Sequence, residues 1–66
     1  MEETIQFIIE KCSDTRIGNV MAASVEKIRQ IMYENGINLD EGFETMTEMK
    51  RKGIAYEPKE GYIALI

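Results

Sequence analysis

Residues 24–53 read SVEKIRQIMYENGINLDEGFETMTEMKRKG, and the fold turns on how this stretch breaks. Ser24 is a good helix N-cap, because its hydroxyl can accept from a free first-turn amide, and Glu26 in that turn favours the dipole. Val25, Ile28, Ile31 and Met32 supply one apolar face. Asn35-Gly36 stops the helix, glycine being free to take the left-handed conformation that ends helices. Only Ile37 intervenes before Asn38, which with Glu41 three residues on has the form of a capping box. Leu39, Phe43, Met46 and Met49 then recur at helical spacing. Gly53 ends this helix after Lys50-Arg51-Lys52, three cations well placed for the C-terminal end of the dipole. Two helices joined by so tight a glycine-containing turn form a helix-turn-helix.

The flanks complete a domain. Between Thr4 and Cys12, apolar residues fall at Ile5, Ile8, Ile9 and Cys12, the stripe of an amphipathic helix. Phe7 lies off that stripe, where it can cover a neighbour or form a contact surface. Ser13-Asp14-Thr15 breaks the pattern and Gly18-Asn19 makes a turn. Asn19-Val20-Met21-Ala22 is short and able to pair as a minor edge strand. After Gly53 the period changes. Ile54-Ala55-Tyr56-Glu57 and Tyr62-Ile63-Ala64-Leu65-Ile66 are β-branched and aromatic-rich, and Pro58-Lys59-Glu60-Gly61 between them has turn chemistry, so the end reads as a β-hairpin. The expected fold is α+β and mainly α: a winged helix-turn-helix of three helices, a C-terminal hairpin and a short extra strand. Residues 1–66 form one domain, with a core drawn from Ile5, Ile8, Ile9, Ile28, Met32, Phe43, Met46, Ile54 and Tyr62.

Composition narrows the function. The chain has no histidine and one cysteine, so neither an internal disulfide, nor a Cys/His zinc site, nor a histidine-based triad can be built. A small chain without disulfides reads as intracellular. No apolar run approaches the roughly 20 residues of a membrane span, and Met1-Glu2-Glu3-Thr4 is acidic where a signal peptide would be basic. Asp and Glu outnumber Lys and Arg by 12 to 8, for a net charge of −4. That field opposes a phosphate polyanion and favours protein partners.

Residues 49–63, Met49-Lys50-Arg51-Lys52-Gly53-Ile54-Ala55-Tyr56-Glu57-Pro58-Lys59-Glu60-Gly61-Tyr62-Ile63, resemble the hairpin that closes archaeal minichromosome maintenance (MCM) replicative helicases. In that family a basic helix end and glycine lead into an aliphatic-x-Tyr-Glu-Pro strand, and Gly-Tyr opens the final strand. The Asn35-Gly36-Ile37 turn sits where the family places it. The resemblance is close over the final third of the chain and loose elsewhere. It implies a C-terminal winged-helix appendage behind the ATPase ring of a hexameric DNA helicase, modulating ATPase and unwinding and touching the motor domains or a replication loading factor. On that resemblance the chain is an excised domain, or a stand-alone relative whose Met1 is a true start, and its location is cytoplasmic in an archaeon. None of the ATPase motifs is present, so the domain itself is expected to be no enzyme and to need no cofactor or metal.

The third helix carries the functional question, since in DNA-binding members it enters the major groove. By helical spacing its outward positions are Asp40, Glu41, Glu44, Thr45, Thr47, Glu48 and Arg51. Four of these are carboxylates, each opposed to phosphate. Asp40, Glu41, Glu44 and Glu48 are therefore read as a protein-interaction face. Lys50, Arg51, Lys52 and Lys59 gather near the helix end and hairpin, where they can touch a nucleic-acid backbone weakly, although a solvated, dipole-capping surface is the plainer reading. Cys12, on an apolar stripe, reads as a small buried hydrophobe. Glu2-Glu3 and Asp40-Glu41 read as dipole partners at helix starts rather than magnesium ligands. The five methionines fill the core more readily than they form a plastic binding surface. A reading of a different class is a stand-alone winged-helix transcription regulator that reads DNA as a dimer; the acidic third helix counts against it.

Overall fold

Caps and turns fix where each helix lies. A computed structural model describes residues 1–66 and shows α1 (Glu2–Cys12), β1 (Ser13–Ile17), β2 (Val20–Ser24), α2 (Val25–Glu34), α3 (Leu39–Arg51), β3 (Ala55–Lys59) and β4 (Tyr62–Leu65). Ser24 Oγ accepts from the Lys27 amide and Asn38 Oδ1 accepts from the Glu41 amide at 3.0 Å, so both N-caps form, but the Glu41 carboxylate does not bond back to the Asn38 amide to complete a capping box. Asn35 is the last residue of α2's cap, and Gly36 follows at φ +70°. The Gly36 amide donates to Tyr33 O (3.2 Å) and the Ile37 amide to Met32 O (2.9 Å), the paired bonds of a Schellman motif. The end of α3 repeats the device, with the Ile54 amide on Met49 O.

The helices pack on a four-stranded antiparallel sheet of order β1-β2-β4-β3. Ile5, Ile8, Ile9 and Cys12 of α1, Ile28 and Met32 of α2, and Met46 and Met49 of α3 meet Ala23, Ala55 and Ile63 of the sheet in one buried cluster. Each large side chain fully buried there contributes roughly 1.5–3 kcal/mol. Gly42 allows α3 to approach α2, because a Cβ at this position would run into Met32 Sδ. The chain is α+β, with the element order of a winged-helix-like fold.

The strands differ from expectation in three ways. Ser13-Asp14-Thr15 is not a break but the start of β1, which pairs with β2 across the Gly18-Asn19 turn. Its polar side chains suit an edge, where one flank faces water. Residues 20–24 are consequently not a minor edge strand: β2 is central, bonded to β1 on one side and to β4 through Ala23↔Ile63 and Ser24↔Tyr62 on the other. β3 runs on through Pro58 to Lys59, past an irregularity after Tyr56, leaving Glu60-Gly61 as the turn. Proline is tolerated there because β3 is the other edge.

The core shifts accordingly. Ile63 and Ala64, not Tyr62, are the buried residues of β4, and the β2 register puts Ile63 beside Ala23. Tyr62, Phe43 and Ile54 are half-buried, the last two packed against the cluster's margin.

Candidate interaction surface

The start of α3 is acidic because capping and periodicity act together. Asn38 holds the first turn, Gly42, Met46 and Met49 turn inward, and Asp40, Glu41 and Glu44 are left exposed on the opposite side. None of these three carboxylates takes part in an ion pair. Asp40 and Glu41 lie in the first turn, where the helix dipole stabilises negative charge. Glu48 departs from the expected exposure. It is half-buried, and its Oε1 lies 2.8 Å from Arg51 Nη1 without hydrogen-bond alignment. One residue before buried Met49, its side chain lies partly against the packed side and folds back on Arg51. Thr45 is half-buried as well. The α3 carboxylates left exposed and unpaired are therefore Asp40, Glu41 and Glu44.

The basic residues are committed within the molecule. Lys50 Nζ is 2.8 Å from Glu57 Oε1 on β3, Arg51 pairs with Glu48, and Lys52 Nζ is 3.1 Å from Glu2 Oε2 at the start of α1. Lys59 lies over the Tyr62 ring, 5.9 Å from its centroid. Exposed pairs of this kind contribute only about 0–1 kcal/mol each, so a phosphate can compete for the cations. Drawing away Lys50, Arg51 or Lys52 leaves Glu57, Glu48 or Glu2 facing the same phosphate. The cluster is thus a mixed surface, not a basic one.

A cleft beside Phe7 was not foreseen from sequence. It lies between α1 and α2, has a volume of about 540 Å³, and its apolar lining is Phe7, Ile8, Cys12, Ile31 and Ile37. Lys11 and Lys27 supply its charged lining. Lys11 Nζ is 5.3 Å from the Phe7 ring centroid, and Lys27 Nζ is 3.0 Å from Asp14 Oδ2. That hydrogen bond lowers the Asp14 carboxyl below its ordinary value and raises the Lys27 ammonium. Burial raises the Cys12 thiol, an effect that the nearby Lys27 charge only partly offsets. The signal available in sequence was Phe7 itself: Thr4, Phe7, Ile8 and Lys11 form a second i, i+3, i+4, i+7 row beside the core stripe.

No three His, Cys, Asp or Glu side chains come together as metal ligands. Glu2, one of the acids weighed against magnesium, is held by Lys52 instead. No helix is long and apolar enough to cross a membrane. Comparison with protein-family models, with curated proteins and with solved structures finds no match.

Proposed function

We propose that this domain is a non-catalytic interaction module that binds a basic protein surface through Asp40, Glu41 and Glu44, and that it does so as the C-terminal regulatory domain of a replicative helicase. The observation that carries the first part is the contrast along α3. Three exposed carboxylates stand unpaired at its start, while Lys50, Arg51 and Lys52 at its end are engaged by Glu57, Glu48 and Glu2. Complementarity of that kind tunes association rate and specificity more than raw affinity. The resemblance of residues 49–63 to the closing hairpin of MCM helicases supports the parent assembly, in which the basic surface belongs to the motor ring or to a loading factor inside the cell.

The test is steady-state ATPase and unwinding by the full-length helicase, by a form lacking this domain, and by a form carrying Glu41→Lys and Glu44→Lys, with hexamer assembly followed alongside. If the domain restrains the ring, deletion raises the rate and the charge reversals reproduce part of the rise. Unchanged rates in both remove the regulatory role. Tight, sequence-selective duplex binding by the isolated domain replaces this reading with that of a transcription regulator.

A further inference from the structure

We infer that α1 is a self-association surface, on which two copies of the chain pair antiparallel about a two-fold axis with each Phe7 seated in the other copy's α1/α2 cleft. Phe7 is 59% exposed although it stands in the middle of a helix, beside an apolar cleft with far more room than one aromatic side chain fills. On the same i, i+4 row, Glu3 precedes Phe7 and Lys11 follows it. Both flanking residues are exposed and neither forms an ion pair; Lys11, like Arg16 and Lys59, has no carboxylate partner and rests over the Phe7 ring itself.

The order acid, aromatic, base names the partner. A two-fold interface must be complementary to itself. When two such rows run antiparallel with Phe7 at the axis, Glu3 of each copy falls opposite Lys11 of the other, so the dimer makes two charge pairings. A second copy of the chain supplies that complement without any further partner. The surface is separate from the acidic start of α3, since Asp40, Glu41 and Glu44 do not line the cleft. One helix face is small: a standard interface takes about 800 Å² per partner, close to a fifth of this domain's 4402 Å². The dimer is accordingly weak and concentration-dependent.

Sedimentation equilibrium on the 66-residue chain from about 10 μM to about 1 mM brackets weak association. The expected result is a monomer–dimer equilibrium that Phe7→Ala weakens about tenfold or more, as loss of a central aromatic anchor does. Lys11→Glu sets like charges against each other at both contacts and weakens association about tenfold. Combining it with Glu3→Lys restores both pairings in reversed polarity and returns the constant to within about twofold of the native value. All three positions are exposed, so each variant stays folded. Glu3→Lys and Lys11→Glu each reverse a favourable charge at an end of α1, so they lower the monomer's Tm slightly, and melting confirms folding in each variant. A native chain that stays monomeric throughout, a dimer indifferent to Phe7→Ala, or a double variant no better than Lys11→Glu alone would each overturn the inference.

Discussion

Adding one methyl group to Gly36 is predicted to shift stability in opposite directions according to its chirality. Gly36 sits at φ +70°, between α2 and α3, and a Cβ added there meets nothing within 4 Å. The effect is therefore conformational rather than steric. An L residue held in the left-handed region loses roughly 1–2 kcal/mol. Replacing glycine also restricts the unfolded chain, which returns about 0.4–1 kcal/mol. Gly36→Ala should thus destabilise the domain by about 1 kcal/mol, lowering Tm by roughly 4–8 °C for a chain of this size. D-alanine at the same position favours positive φ, so only the unfolded-state term remains and Tm should rise by a few degrees. A chain of 66 residues is within reach of chemical synthesis, so all three proteins can be melted side by side by circular dichroism. Denaturant m-values should be equal, because no buried surface changes. If both substitutions move Tm the same way, the α2–α3 turn does not rest on a left-handed residue, and the amide bonds from Gly36 and Ile37 into α2 are not what orients α3.

Other consequences are as open to measurement. Met46 is 4% exposed in the central cluster, and Met46→Asp should unfold the domain, since an unpaired buried carboxylate costs several kcal/mol against a total of similar size; a native melting curve would refute this packing. Lys27 depresses the Asp14 carboxyl, so the pair's small contribution is present above the ordinary value of 3.8 and fades as pH falls through the lower folded value. Lys27→Met should let Asp14 titrate nearer 3.8 by NMR, and an unchanged titration would show that the hydrogen bond is absent in solution. Nucleic-acid binding should be weak, salt-sensitive and indifferent to sequence. Neutralising Lys50, Arg51, Lys52 and Lys59 together should lower it equally for all duplexes and flatten its salt slope, whereas submicromolar preference for one duplex at physiological salt would reverse the argument.

α2 and α3 were legible because each carries its own punctuation, Ser24 and Asn38 opening and Gly36 and Gly53 closing, whereas α1 was legible from its apolar spacing alone. β1 was not, because Ser13, Asp14, Thr15 and Arg16 have loop composition, and only pairing with β2 makes them a strand. Tyr62 and Ile63 are equally good strand residues; which one turns inward depends on the β2 register, a contact with residues far away in the chain. The same limit applies to function. The carboxylates of α3 were readable as a face from α3 alone. The neutralisation of Lys52 by Glu2 spans almost the whole sequence, and the cleft beside Phe7 exists only once α1 and α2 are packed.

The sheet order also divides the molecule in time. Both hairpins join neighbouring segments and form from local encounters, as do the helices. Sealing β2 to β4 is different, since it brings together Ala23 and Ile63 across an intervening chain of roughly 40 residues, at an entropic cost of about 3 kcal/mol before any constant term. Only two residue pairs, with the Val25 amide on Gly61 O beside them, register that seam. By this measure it closes after either hairpin, a latch between the β1–β2 hairpin and the β3–β4 hairpin.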